Sequence, residues 1–417
     1  MYLADTRAAG SARSRAPLAR VPGVVVALGM VSLVTDISAE MVTAVLPLYL
    51  VFGLGLNPLQ FGLLDGLYAG STAVLRLVGG HLADRWRRLK AVAGIGYALS
   101  AVSKLGLLAA GSSVPAIGAV LAVDRAGKGI RTAPRDALIS LSSSPETMGR
   151  SFGVHRALDT CGALLGPLVA AAVLWASLGD FSAVFVSSFC LAACGVLLLV
   201  MLVRDHPHRA PAVVPDAVAP AGATGVPVRA MFGLLRIAGF RRCCGWAAAL
   251  GLFTITDSFV YLAVQRRWDV DSSLFPLLPL GTAGTFLLLA VPLGRLGDRI
   301  GRWKVFIAGH LALVLTLLLV CGPIGNWWLA LALHGAFYAA TDGVLPAAVG
   351  PLLPEHLRAS GLAVLQTGQA LARMTSAVTV GLLWTLWDIR LALLATTVAL
   401  LTVTIAAAVI KPLEVRR

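Results

Sequence analysis

The chain has 417 residues, of which 58% are hydrophobic and only 13% charged, with a mean hydropathy of +0.85. Soluble domains carry about 25% charged residues, so this chain has too few charges to cover the surface of a soluble protein of its size. The composition excludes an ordinary cytosolic enzyme, a disordered protein and a secreted disulfide scaffold. It predicts an all-α protein that crosses the membrane many times.

The hydropathy pattern predicts twelve membrane-spanning helices, since a span needs about 20 mostly apolar residues. The first apolar stretch is too long for the core of a signal peptide and contains Asp36 and Glu40, so we expect it to remain as a helix. In chain order, spans 1 to 12 are predicted at 23–52, 59–83, 90–111, 114–133, 149–176, 180–203, 240–265, 273–297, 303–322, 326–350, 358–386 and 389–411.

The basic residues fall mostly on one side of these spans. Of the 34 Lys and Arg residues, 25 lie in the terminal segments and the loops on the same side, and three lie in the opposite loops. Positively charged loops stay in the cytoplasm, so we expect a multi-pass protein of the inner (plasma) membrane with both termini cytoplasmic. This distribution explains the net charge of +14, and no nucleic-acid partner is expected.

The longest loop divides the chain near its middle. Its first part is rich in Pro, Ala and Val and has no periodicity, which is typical of a flexible linker. Its last residues, 229–242, predict a short interfacial helix. We therefore expect an N-terminal six-helix bundle over 1–203, a cytoplasmic linker over 204–239 and a C-terminal six-helix bundle over 240–417.

Two segments 214 residues apart repeat one pattern, each after the second span of its half. They read Gly80-His-Leu-Ala-Asp84-Arg85-Trp-Arg87-Arg88-Leu-Lys90 and Gly294-Arg-Leu-Gly-Asp298-Arg299-Ile-Gly301-Arg302-Trp-Lys304. Two similar halves in parallel are typical of secondary transporters, with the substrate site between them near the midplane.

This pattern resembles the loop motif of the major facilitator superfamily, and the resemblance covers essentially the whole chain. It implies two pseudo-symmetric six-helix bundles, with spans 1, 4, 7 and 10 lining a central cavity. It also implies that the loop is a gating latch whose Asp pairs with nearby Arg side chains and with a helix N-terminus. The first copy departs from the pattern at Arg87, where a glycine is usual. The implied gating residues are Gly80, Asp84, Arg85, Arg88, Gly294, Asp298, Arg299, Gly301 and Arg302.

Three further stretches carry a resemblance. Residues 124–138 and 152–159 resemble a little-characterised prokaryotic branch of this superfamily. Gly162-x-x-x-Gly166-Pro167 in span 5 resembles the antiporter motif of drug/proton exchangers. The same small-x-x-x-small spacing is also common wherever helices pack closely, so both interpretations stay open.

Thirteen charged side chains fall inside the predicted spans. Each costs roughly 2.5–3.5 kcal/mol to insert, so most of them must pair or face water. The acids are candidates for proton coupling or cavity lining: Asp36, Glu40, Asp65, Asp124, Asp159, Asp257 and Asp342. The bases, with His155, are candidates for substrate binding or ion pairing: Arg76, Lys104, Arg125, Lys128, Arg156 and Arg373.

Helical spacing predicts specific pairs. Asp36 and Glu40 share one face; two carboxylates this close do not both ionise easily, so we expect them to carry a proton or contact substrate. The spacing also pairs Asp124 with Lys128, His155 with Asp159, and Asp65 with Arg76.

Other roles stay open for several of these residues. Lys104 lies deep in span 3 and should have a neutralising partner. Asp124 and Arg125 could equally stabilise the fold, and His155 could be a packing residue. Arg131, Arg135 and Arg150 are expected to be cytoplasmic anchors.

The sequence favours proton-coupled efflux of a small molecule by alternating access, that is, an antiporter. One alternative is a symporter or exchanger for an organic anion or phosphate ester, bound by the basic cluster. Another is a transport-inactive membrane sensor. We expect no enzyme activity, metal or cofactor. The expected partners are the substrate, protons and the lipid bilayer, with the chain a monomer.

Overall fold

A computed structural model of the protein describes residues 21–68, 70–71, 89–143, 148–203, 233–323, 325–354 and 357–410. The described residues form helices joined by short turns, and none of them lies in a β-strand. Eight helical stretches within these ranges are long and apolar enough to cross a membrane. Large apolar side chains on their outer faces, such as Leu288 and Met201, are exposed, as a lipid-facing surface requires.

The N-terminal helices, α1 to α6, correspond to predicted spans 1 to 6, although residues 69 and 72–83 of predicted span 2 lie outside the described residues. Helix α1 packs against α5 and α6, and α3 packs against α4 and α6. The helices are Gly23–Leu48, continued by a π-helical turn over Tyr49–Gly53; 58–68; Leu89–Ala109; Val114–Ser142; Met148–Ala176; and Phe181–Leu202.

Helix α4 continues nine residues beyond its predicted end at residue 133. In the structure, Arg131 pairs with Asp36 and Arg135 with Asp159, so these charges are neutralised and the helix continues.

The C-terminal helices, α7 to α14, correspond to predicted spans 7 to 12. They are Ala238–Phe253, Asp257–Trp268, Leu278–Ile300, Arg302–Cys321, Trp327–Thr341, Val344–Val349, Arg358–Leu386 and Ile389–Val409. The linker predicted at 204–239 stays a prediction, because residues 204–232 lie outside the described ranges.

Two predicted spans are each divided into two helices, so the single helices expected over 240–265 and 326–350 are wrong. Span 7 is interrupted at residues 254–256, where Thr256 has an extended backbone (φ −76°, ψ 155°). The Ser376 hydroxyl donates to the free Thr254 carbonyl over 2.9 Å, which satisfies a backbone group that the break exposes. Span 10 is interrupted at Asp342 and Gly343, two residues of low helix propensity.

Among the described residues, the N-terminal and C-terminal helices meet on one side of the molecule. We call it the distal side: it carries the loops 54–57, 177–180, 269–274 and 387–388, opposite residues 22 and 410. There, α1 and α5 contact the short turn Phe275–Leu277 that precedes α9, and α1 contacts α8.

Helices α2 and α13 approach each other closely on the distal side. A Cβ atom added to Gly62 would overlap the Ala377 carbonyl, and one added to Gly381 would overlap the Pro58 carbonyl. The Leu59 amide donates to the Thr385 hydroxyl over 3.0 Å. The two groups of helices therefore touch backbone to backbone on the distal side.

Candidate functional site

The first charged cluster lies where α1, α4 and α5 meet. Arg131 Nη2 lies 3.3 Å from Asp36 Oδ1, with both side chains buried. The Arg131 guanidinium also lies over the Tyr97 ring, 4.5 Å from its centroid. The Asp36 carboxyl group neighbours that of Asp159 on α5, so the two can share a hydrogen bond when one of them carries a proton.

Arg135 extends this cluster through α5. Its Nη1 lies 3.6 Å from Asp159 Oδ1 and donates to Ser32 Oγ over 3.2 Å. Ser32 Oγ in turn lies 3.0 Å from His155 Nε2. Arg131 and Arg135 are therefore part of an internal network, and the prediction that they are cytoplasmic anchors is wrong.

Arg156 lies at the edge of this cluster, although the sequence placed it inside span 5. Its Nη1 lies 3.2 Å from Asp159 Oδ2, yet 77% of the Arg156 side chain is exposed. An exposed ion pair of this kind contributes little to stability.

The second cluster gathers two cations around Asp124. Lys104 Nζ lies 3.4 Å from Asp124 Oδ1, and Arg125 Nη2 lies 2.5 Å from Oδ2. Ser100 Oγ donates to the same carboxylate over 2.6 Å. The Arg125 guanidinium lies 3.9 Å from the centre of the Tyr68 ring. The partner expected for Lys104 is confirmed, and the predicted Asp124–Lys128 pair is wrong.

Lys128 instead pairs loosely with α1. Its Nζ lies 3.8 Å from Glu40 Oε1, and about a third of each side chain is exposed (31% and 29%). This pair is more exposed than the ion pairs of Asp36 with Arg131 and of Asp124 with Lys104 and Arg125.

The glycines of the Gly162-x-x-x-Gly166 segment pack against the two acids of α1. A Cβ atom added to Gly162 would lie 3.2 Å from Asp36 Cβ, and one added to Gly166 would lie 2.6 Å from Glu40 Cβ. The segment thus brings α5 into close contact with the carboxylate-bearing face of α1. Its resemblance to an antiporter motif stays a prediction.

The third cluster lies at the break in span 7. Asp257 is the first residue of α8, and 44% of its side chain is exposed. Its Oδ1 accepts a hydrogen bond from the Tyr338 hydroxyl over 2.5 Å and lies 3.3 Å from Nε2 of the fully buried His334. Arg373 on α13 is close enough to act electrostatically on Asp257.

Asp65 on α2 joins the N-terminal helices to this break. Its Oδ2 accepts a hydrogen bond from Thr256 Oγ1 over 2.6 Å, and Ser258 is a second hydroxyl neighbour. The carboxylate therefore lies at the N-terminus of α8, where the helix dipole favours negative charge. The predicted partner of Asp65, Arg76, lies outside the described residues.

Asp342 lies away from the other acids. It occupies the break between α11 and α12 and is exposed, so the structure does not bring it to the cluster around Asp257.

The second copy of the loop motif connects α9, α10 and α12. Arg302 Nη2 lies 2.8 Å from Asp298 Oδ1, and Arg302 Nη1 donates to the Ala347 carbonyl over 2.5 Å. Gly301 has a φ of +108°, a conformation that favours glycine, whereas Gly294 has open space around it and Arg299 is exposed. In the first copy, Gly80, Asp84, Arg85 and Arg88 lie outside the described residues.

The charge pattern alone missed several residues of these clusters. His334 and Tyr338 are four residues apart on α11, and Tyr68 and Thr256 are also uncharged, so a search for charges within spans passes over them. The spacing of His334 and Tyr338, which places both on one helix face, could have identified them once Asp257 was assigned to the cavity.

A known protein family matches this chain over most of its length. The model of the Major Facilitator Superfamily matches residues 28–289 and 243–417. An uncharacterized MFS-type transporter of Methanocaldococcus jannaschii is 30% identical over 371 residues, covering 86% of this chain and 87% of the relative. An uncharacterized protein of Mycobacterium tuberculosis is 27% identical over 364 residues, covering 86% of each chain.

Solved structures resemble this one in fold. The nucleoside transporter NupG has a TM-score of 0.75 at 16% identity, covering 93% of this chain and 98% of its own. The peptide transporter POT in complex with sulfate has a TM-score of 0.72 at 15% identity, covering 94% of each chain. A bacterial homologue of the human lysosomal transporter Spinster, in an inward-facing and unoccupied conformation, has a TM-score of 0.69 at 15% identity, covering 92% of this chain and 95% of its own.

Proposed function

Because this chain belongs to the Major Facilitator Superfamily, a family of secondary transporters, we propose that it exports a small molecule across the plasma membrane in exchange for protons. Transport proceeds by alternating access around a site between the two groups of helices. The distribution of Lys and Arg supports cytoplasmic termini, and we take the transporting unit to be the monomer.

The proximity of Asp36 and Asp159 carries this proposal. The side chain of Asp36 is 10% exposed and that of Asp159 is 19% exposed, and two neighbouring carboxyl groups so little exposed favour holding one proton between them. Arg131 pairs with Asp36, and Arg135 lies beside Asp159 and also contacts Asp136, while the exposed Arg156 pairs with Asp159. Loss of the shared proton therefore changes which cation each carboxylate engages.

Glu40 gives this site a connection to a more exposed position. It lies one helical turn from Asp36, and its partner Lys128 is at 3.8 Å and partly exposed. We assign Asp36 and Asp159 to proton binding, and Glu40 with Lys128 to exchange between the proton and the cargo.

The anion-transport alternative is weakened at two of its bases, Lys104 and Arg125. Lys104 and Arg125 share the single carboxylate of Asp124, so both already have an anionic partner, although the three groups together keep one excess positive charge. A bound organic anion would have to displace that carboxylate from two partners.

Proton-coupled export can be tested in everted membrane vesicles that contain the full chain. Addition of a transported compound to vesicles acidified inside should release protons, measured with a pH-sensitive dye, and a compound panel can be screened in this way. We expect Asp36→Asn and Glu40→Gln to abolish or strongly reduce this release.

Asp271→Asn is the matched control, because Asp271 is an exposed loop acid that accepts hydrogen bonds from Ser273, and asparagine preserves them. Wild-type proton release from Asp36→Asn and Glu40→Gln, at unchanged pH dependence, would show that these acids do not couple transport.

A further inference from the structure

We propose that Asp257 and His334 form a second proton-binding site, in the C-terminal helices, with His334 as the buried acceptor. This inference rests on the proposed proton-coupled transport and adds to it a site separate from Asp36 and Asp159. The ligand of the site is a proton from water, which ends on His334 Nε2, and the net charge of the pair changes from −1 to 0.

The His334 ring is positioned to accept a proton, and Asp257 is the only charged partner beside it among the described residues. Its side chain is fully buried, and Nε2 lies 3.3 Å from Asp257 Oδ1. Neither ring nitrogen has a well-aligned hydrogen bond among the described residues. A buried imidazole that is left without partners is costly, whereas an imidazolium beside a carboxylate gains a charge-assisted contact.

Asp257 provides the access that His334 lacks. It is 44% exposed and begins α8 directly after the extended residues 254–256. Its Oδ1 takes both inward contacts, from Tyr338 and from His334. A proton that reaches the carboxylate from water thus meets His334 on the protein side of the same group.

The neighbouring groups influence how readily the Asp257–His334 pair takes up a proton. Tyr261 on α8 and Tyr338 on α11 contact the His334 ring, and α9 contributes the uncharged Thr282 beside Gly335. Arg373 on α13 opposes the uptake of a proton by its positive charge, and Asp65 on α2 favours it.

His310 on α10 provides a matched contrast. It is also buried, and its ring contacts Phe337 as that of His334 does. However, His310 Nδ1 lies 2.9 Å from the Phe306 carbonyl, which gives the neutral ring a hydrogen-bond partner. Of these two histidines, only His334 lies beside a carboxylate.

Proton uptake by the purified full-length protein in detergent tests the site without a known substrate. The protein is titrated from pH 8 to pH 5 in unbuffered solution, and the protons bound per chain are counted. We expect His334→Gln to bind about one proton fewer than the wild type, and His310→Gln to match the wild type. Equal uptake by His334→Gln and the wild type would overturn the proposal.

Two further variants keep the result interpretable. If His334→Gln does not elute as a monodisperse protein, Asp257→Asn should show the same deficit of one proton, and its absence would also overturn the proposal. Asp36→Asn should leave the difference between the wild type and His334→Gln unchanged. Failure of coupling at Asp36 and failure of this second site are therefore separate outcomes.

Discussion

At the scale of single residues, the buried charges around Asp124 are unequal in number. Asp124 compensates two cations, Lys104 and Arg125. Removal of one partner from a buried ion pair is strongly destabilising, because the remaining charge stays in a medium of low dielectric constant. The loss therefore depends on which member of the cluster is removed.

We expect Asp124→Asn to destabilise the protein more than Lys104→Met. The first change leaves two buried cations uncompensated and should cost about 3–5 kcal/mol, whereas the second keeps the shorter Arg125–Asp124 pair. The measurement is the thermal unfolding midpoint of each purified variant in one detergent. A larger loss for Lys104→Met would contradict the assignment of Asp124 as the centre of the cluster.

Arg131 permits a second test with a rescue. Arg131→Met leaves Asp36 buried without its cation and should cost about 3–5 kcal/mol. The double variant with Asp36→Asn should recover much of this loss, because an amide needs no counter-ion. Arg156→Met is the control. Its side chain is exposed, so the substitution should cost no more than the about 0–1 kcal/mol typical of surface pairs. Its thermal unfolding midpoint should therefore stay close to that of the wild type.

The sequence predicts which residues are costly in a membrane but not which of them meet. Asp36, Asp124 and Asp257 stand out because charge is expensive among apolar residues. Spacing within one helix paired Asp124 with Lys128, whereas the structure pairs Lys128 with Glu40 on another helix. Contacts between helices depend on their rotation and crossing, which the period of one helix does not determine.

At the scale of helices, glycine spacing determines how closely α1 and α5 approach. Gly162 and Gly166 lie against the backbone and Cβ atoms of α1, whereas Gly153 on the same helix has no atom within 4 Å of an added Cβ. The same residue type therefore serves packing at two positions of α5 and not at the third.

We expect Gly166→Ala to lower the thermal unfolding midpoint and to reduce proton-coupled export, since its Cβ would lie 2.6 Å from Glu40 Cβ and force the helices apart. Gly153→Ala should be neutral or stabilising by up to about 1 kcal/mol, because alanine favours helix. Both variants are measured in the same unfolding assay, and equal effects would contradict the packing role.

The helix breaks were predictable to different degrees. Asp342-Gly343 is a dipeptide that commonly marks a turn, so the break in span 10 could have been found. Thr254, Ile255 and Thr256 include neither Gly nor Pro. Their break is supported by Ser376 on α13 and Asp65 on α2, which are distant in sequence.

At the scale of the whole molecule, the proposed transport cycle requires the distal contacts to separate whenever the central site opens to that side. They include the backbone approach of α2 to α13 and the hydrogen bonds of Asp65 to the start of α8. Asp65 thus stabilises the state in which the distal side is closed.

This role predicts a change in cross-linking. In a variant whose six native cysteines are replaced by alanine, Leu59→Cys and Thr385→Cys should form a disulfide on mild oxidation, because the Leu59 amide lies 3.0 Å from the Thr385 hydroxyl. Addition of Asp65→Ala should slow the cross-link, since the distal side then opens more often. Leu63→Ala, an exposed position on the same helix, should leave the rate unchanged; an unchanged rate for Asp65→Ala as well would contradict the role of Asp65.

The break at residues 254–256 also has a mechanical consequence. The helical stretch Ala238–Trp268 has 31 residues. As one straight helix it would be about 46 Å long, so a displacement of its distal end would tilt the entire helix. The break divides this rod into two helices. Helix α7 packs against α13 and α14, whereas α8 contacts α1. We expect bending to concentrate in these three non-helical residues, because they have few helical hydrogen bonds to break, while α7 keeps its contacts with the helices behind it.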